Sequence, residues 1–284
     1  MLNIPRKSFI PFVTAGHPDL ETTRNVILAL AELGSAVIEI GIPFSDPIAD
    51  GPVIQRSSFA ALKHGYKMPD YLQLVKDIRA KSDVGLIFMT YLNPVLQYGM
   101  SQLDHDGRQA GLDGILISDL TPEEYLLSRE ASGGHPSTND HSPSTVNCQL
   151  SIESSRPTTR LVEPFEQLQT IFLVAPTSSE QRIQTVCEAT TGFVYLIART
   201  GVTGKHTEFD QTVPETARCI RRYTDRPICV GFGVRSRADI ERVWSFADGA
   251  IVGSAIVDFM EKHQAEGDLA KRVSDYVRAE MLHS

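Results

Sequence analysis

The sequence predicts a closed barrel of eight parallel strands alternating with eight helices. Short apolar runs rich in Val and Ile recur along the 284 residues, apolar on both faces as strands covered on both sides must be. Segments of helical periodicity lie between them. The alternation continues to the end of the chain, and at this length it fits an α/β fold of the (β/α)8, or TIM, barrel type. An open doubly wound sheet competes, but no G-x-G-x-x-G follows the first strand.

The first strand is read at Phe9–Ala15 and the first helix at Leu20–Leu33. In that helix Val26, Ile27, Leu30 and Leu33 form one stripe, Asp19 caps the start and Gly34 stops the end. The second strand is Ala36–Pro43; helix Tyr71–Ala80 leads to the third, Val84–Tyr91. Helix Gln102–Ala110 precedes the fourth strand, Gly114–Leu120, and helix Glu123–Ser132 follows it. Strands at Thr170–Pro176, Gly192–Arg199, Pro227–Val234 and Gly249–Val252 complete the set. Helices at Glu180–Ala189, Pro214–Tyr223, Arg237–Phe246 and Phe259–Leu282 accompany them. One interval breaks the rhythm. Ala131–Arg160, rich in Ser, Thr, Pro, Asn and Gly, has no sustained period and too little apolar surface to offset its ordering entropy. It is expected to be a disordered, low-complexity insertion between strands 4 and 5 of a single domain.

Composition removes several functional classes. A net charge of −8 argues against nucleic acid or anionic lipid as a general partner. No apolar run approaches the roughly 18 residues that span a bilayer, and MLNIPRKSFIPF lacks the regions of a signal peptide. Cys148, Cys187, Cys219 and Cys229 form no C-x-x-C pair, which fits a reduced, cytoplasmic protein.

Barrel chemistry sits at the carboxyl ends of the strands. The second strand reads AVIEIGIP, with Glu39 inside an apolar run and Val37 and Gly41 on its face. A carboxylate there is costly unless it is paired or used, and no Lys or Arg lies in any predicted strand interior. Its tunable pKa suits general acid/base work. The next loop adds Asp46 and Asp50 between Pro43, Pro47 and Pro52, so a two-carboxylate site is expected. RTGVTG, GFGVRS and VGSAIV end the last three strands, and glycine-bearing loops followed by a helix start form a phosphate cradle of backbone amides. The eight lysines fall outside strand ends, which disfavours a Schiff base. His17 is the one histidine directly after a strand and is read as solvated, so no metal site is expected.

FIPFVTAGHPD, IEIGIPFSDPIADGPVIQ, MTYLNPVLQYG, DGILISDLTPEE, YLIARTGVTG, VGFGV and VGSAIV together resemble the alpha subunit of tryptophan synthase. The resemblance runs from Phe9 to the last helix. It implies a lyase of tryptophan biosynthesis that cleaves indole-3-glycerol phosphate to indole and glyceraldehyde 3-phosphate. It also implies an α2β2 heterotetramer with a beta subunit that carries the pyridoxal phosphate, this chain holding no cofactor. By motif, Glu39 matches the catalytic glutamate and Asp50 the aspartate that meets the indole nitrogen. Tyr195 matches an active-site tyrosine; Phe12, Tyr91, Leu173 and Phe232 match the wall around indole. Gly204, Gly233, Gly253 and Ser254 match the phosphate-binding positions. A sugar-phosphate isomerase or epimerase, and a barrel that only docks on a beta subunit, remain as alternatives. The sequence departs from the family in three places, one of them the insertion, which lies in the fourth helical segment, after rather than at the strand end, so that the active site is expected to survive it. Only eight residues precede Phe9, where the family has a helix closing the barrel floor; a misassigned start is one explanation and a less stable floor another. Thr121 also replaces a proline common after the strand-4 aspartate, Asp119.

Overall fold

The computed structural model describes residues 2–132, 162–198 and 212–282. Its strands are β1 (Ser8–Thr14), β2 (Val37–Gly41), β3 (Gly85–Thr90), β4 (Gly114–Ile117), β5 (Gln169–Val174), β6 (Val194–Ile197), β7 (Ile228–Gly231) and β8 (Gly249–Val252). They pair in parallel in sequence order, and β8 closes on β1 through the register Ser8↔Gly249 to Pro11↔Val252. Every predicted strand is present; β8 matches its expected bounds, β1 and β5 begin one residue earlier than expected, and the others are shorter, β4 and β7 by three residues at the carboxyl end. The helices are α1 (Leu20–Glu32), α2 (Pro52–Leu62), α3 (Met68–Arg79), α4 (Leu92–Tyr98), α5 (Met100–Ala110), α6 (Pro122–Ala131), α7 (Glu180–Ala189), α8 (Thr212–Arg221), α9 (Arg237–Trp244), α10 (Ser254–His263) and α11 (Leu269–Val277). The expected insertion, apart from Ala131 and Ser132, lies outside the described residues.

Strand alternation sorts the interior into two layers. Ile10, Phe12, Val37, Ile87, Met89, Leu116, Ile171, Phe193, Tyr195, Cys229 and Ile251 fill the barrel lumen. The other face of each strand packs under the helices in a larger core, the arrangement expected when both faces of a parallel sheet are covered. The floor is closed without a preceding helix. Leu2 and Ile4 join the lumen layer, and the Leu2 backbone N–H donates to Gln169 Oε1 at 2.7 Å.

Local signals set the helix ends. The Asp19 side chain caps α1 through the Thr22 N–H at 2.7 Å. Thr121, in place of proline, caps α6 in a reciprocal box with Glu124, a gain in end satisfaction over an apolar residue. The return from the insertion is pinned as firmly. Asp104 on α5, 5% exposed, accepts from the backbone N–H groups of Glu166 (2.9 Å), Gln167 (3.1 Å) and Leu168 (2.8 Å), just before β5.

Three expectations need correction. Two helices, α2 and α4, were not foreseen: α2 turns Ser57 and Ser58 inward rather than an apolar stripe, and α4 is seven residues long with Pro94 inside it. The single helix read at Phe259–Leu282 is two, α10 and α11, followed by a π turn at Arg278–Leu282; Asp268, at φ +52°, breaks the run and caps α11. His17, in the loop between β1 and α1, is 3% exposed rather than solvated.

Candidate active site

Glu39 sits mid-strand in β2, in register with Phe12 on one side and Ile87 on the other. It is 1% exposed, and its Oε1 makes no hydrogen bond with any described residue. Burial raises its pKa to about 8, and the nearby charge of Asp50 adds to the effect. Such a group is neutral at pH 7 and can give up a proton.

Asp50 ends the loop that follows β2. A turn closed by Asp50 N–H on Pro47 O (3.1 Å) shapes the loop, and Gln55 on the first turns of α2 donates to the Asp50 carbonyl at 2.9 Å. The carboxylate is 9% exposed and accepts from the Tyr91 hydroxyl at 3.1 Å. That hydroxyl in turn accepts the Ala49 N–H at 3.0 Å, and Phe44 stacks on its ring with centroids 5.1 Å apart. Burial raises the Asp50 pKa to about 6, with the Tyr91 hydrogen bond acting against the rise. Asp50 is therefore ionised at pH 7 while Glu39 is protonated. Tyr91 was read from sequence as apolar wall, and its role is broader: from the end of the neighbouring strand β3 it holds the carboxylate loop that follows β2. Asp46 is not part of this group; its side chain turns to Ser45 at 2.6 Å on the exposed loop.

Four of the residues expected to wall the indole pack together. Phe12 and Tyr195 are buried in the lumen, with Leu173 and Phe232 partly buried against them. Two glycines make room for the rings. A Cβ on Gly41 would collide with the Phe12 ring, and one on Gly231 with the Tyr195 hydroxyl. Phe232 adopts φ +61°, a strained backbone for an aromatic residue, and meets the Tyr195 ring edge-on at 5.5 Å.

The phosphate positions fall on the next two strands. Gly233, at φ +119°, follows β7; Gly253 and Ser254 follow β8 and start α10. β7 and β8 are hydrogen-bonded neighbours, so these turns adjoin. No side chain caps the start of α10, which leaves first-turn amides for an anion. Gly204 lies outside the described residues. One buried group escaped the sequence entirely: Ser118, directly after β4, whose Oγ has no partner among the described residues. Among those residues no cluster of three or more His, Cys, Asp or Glu could hold a metal ion, and no helix is long and apolar enough to cross a membrane.

Comparison with known proteins agrees with this geometry. The family profile described as tryptophan synthase alpha chain matches residues 2–133 and 148–282. A tryptophan synthase alpha chain from Geotalea uraniireducens is 39% identical over 273 residues, covering 96% of this chain and 90% of that protein. One from Thermoanaerobacter sp. (strain X514) is 36% identical over 272 residues, covering 96% and 92%. Among solved structures, a mutant tryptophan synthase alpha subunit from Pyrococcus furiosus superposes with a TM-score of 0.77 at 31% identity, covering 98% of each chain. A chain from a study of mutual activation in the a2b2 complex of the same organism gives 0.78 at 32% identity, covering 97% of this chain and 98% of that one. Profile, relatives and fold agree along nearly the whole chain, and the protein belongs to the tryptophan synthase alpha chain family.

Proposed function

We propose that Glu39 and Asp50 carry out the family's reaction here, cleavage of indole-3-glycerol phosphate to indole and glyceraldehyde 3-phosphate. The observation that carries this is the pair of buried carboxylates at one end of the barrel: Glu39 in β2, 1% exposed with Oε1 unpartnered among the described residues, and Asp50 on the following loop, 9% exposed and held by Tyr91, burial raising the pKa of both. The phosphate would rest on the amides at Gly233, Gly253 and Ser254. The indole would lie between Phe12, Tyr91, Leu173, Tyr195 and Phe232. Protonated Glu39 delivers its proton to indole C3, and the positive charge that develops on the ring nitrogen is stabilised by the Asp50 carboxylate. The bond from C3 to the side chain then breaks and its electron pair returns to the ring. The adjacent hydroxyl becomes the aldehyde and loses its proton to Glu39, which regains its starting state. The isomerase and epimerase alternative is disfavoured, because it gives Asp50 no role at an indole nitrogen.

In this family pyridoxal phosphate belongs to the beta subunit. The chain is therefore proposed to act through its own side chains and amides, and to assemble with a beta subunit as α2β2. The carboxylate loop offers Ile48, 81% exposed, beside the mouth, and the segments 43–52 and 93–99 are proposed to dock and gate there. A third segment, 201–208, which holds Gly204, lies outside the described residues. A compartment with reduced thiols, the cytoplasm, is proposed from the cysteine pattern.

The test is the pH profile of indole-3-glycerol phosphate cleavage, with and without a beta subunit. It should be bell-shaped, with limbs near 6 and 8, and Glu39→Gln should abolish turnover. A Glu39→Gln variant that retains turnover would refute the assignment.

A further inference from the structure

Among the described residues, four buried side-chain atoms make no hydrogen bond: both ring nitrogens of His17, Glu39 Oε1 and Ser118 Oγ. The reaction uses Glu39. The Ser118 hydroxyl has no such account, and a buried hydroxyl without a partner is a costly arrangement that calls for a reason.

Its position supplies one. Along β4, Leu116 fills the lumen while Ile115 and Ile117 pack under the helices, so strand alternation puts Ser118 on the lumen side. The Ser118 N–H donates to Thr90 O at 2.8 Å, extending the β3–β4 ladder by one step and setting Ser118 beside Tyr91. Tyr91 holds Asp50. The strands follow one another in order around the barrel, so β4 stands opposite β8, whose end bears Gly253 and Ser254. Ser118 thus belongs to the end of the site farthest from the phosphate cradle, where the indole ring lies in the function proposed above.

An unsubstituted indole has one polar edge, the N–H that Asp50 takes. Its six-membered ring presents only C–H groups, which satisfy no hydroxyl. We infer that the site accepts indoles bearing a hydroxyl or amino group on the six-membered ring, with Ser118 as the residue that selects for them. A serine hydroxyl both donates and accepts, so it suits either substituent. Alanine at this position would leave an apolar wall that gives such a substituent no partner.

The inference rests on the proposed lyase reaction, and the reverse condensation separates the two. The full chain is assayed with glyceraldehyde 3-phosphate and indole, then with 4-, 5-, 6- and 7-hydroxyindole, for the wild type and Ser118→Ala. The readout is the ratio of kcat/KM for each hydroxyindole to that for indole, which cancels any general effect of the substitution. For at least one isomer the ratio should fall by about 3- to 10-fold in Ser118→Ala, the range expected for loss of one neutral hydrogen bond. Equal ratios in the two proteins for all four isomers would overturn the inference and leave the lyase assignment intact. Failure of the wild type to condense indole itself would overturn both.

Discussion

Removing the charge from Glu39 should make the protein's stability less sensitive to pH, by an amount the structure sets. The carboxyl is 1% exposed with no ion pair among the described residues, and burial raises its pKa from 4.5 to about 8. Between those values the folded state holds a proton that the unfolded state has lost, so this group's contribution falls as pH rises through the window and stays low above it. At about 1.4 kcal/mol per unit, the cost of Glu39 is roughly 1 kcal/mol at pH 5, about 3 at pH 7 and about 5 at pH 9. Glu39→Gln keeps the shape and cannot ionise. Its own packing offset is the same at every pH, so the difference from wild type isolates the titration. Urea unfolding of both proteins at the three pH values measures it. The variant should gain on the wild type by roughly 2 kcal/mol from pH 5 to 7. A difference that stays flat from pH 5 to 9 would show that Glu39 is ionised in the folded protein, and the proton-donor role would fall with it.

Tyr91→Phe removes the hydrogen bond that lowers the Asp50 pKa, so the acidic limb of the cleavage profile should move up by roughly one unit; a limb that stays near 6 would deny Tyr91 this role. Gly41→Ala puts a Cβ into the Phe12 ring and should cost about 1–3 kcal/mol by overpacking, with a fall in kcat/KM for cleavage. Wild-type kcat/KM in that variant would remove Phe12 from the substrate wall. Asp104→Ala leaves three backbone N–H groups without their acceptor and should destabilise by about 3 kcal/mol in urea unfolding, and a loss under about 1 kcal/mol would mean water replaces the carboxylate freely.

Strands were legible because burial on both faces leaves one pattern, and Val194–Ile197 or Gly249–Val252 can be little else. Glu39 was legible for the same reason, as the one charge in such a run. The misses share a different cause. The amphipathic face of α2 is made by Ser57 and Ser58 packing inward, and Ser57 meets Thr14 at 2.7 Å across 43 positions of sequence. Periodicity of apolar residues cannot show that. The Tyr91 hydroxyl was missed likewise, since its partner is 41 residues away and an aromatic residue at a strand end reads as wall. Ser118 and the burial of His17 depend wholly on what surrounds them. The break at Asp268 was available, since EGD precedes Leu269, but the apolar stripe of α11 hid it.

The Asp104 clamp has a consequence for protein engineering. It fixes residues 166–168 to α5 independently of what precedes them, so β5 enters the barrel in the same register whatever joins the end of α6 to that point. Closing a longer flexible connection costs little, about 0.6 kcal/mol for each doubling of its length. The family profile matches on either side of residues 134–147 and not across them. This is the place to splice a reporter, an affinity handle or a whole foreign domain into the chain.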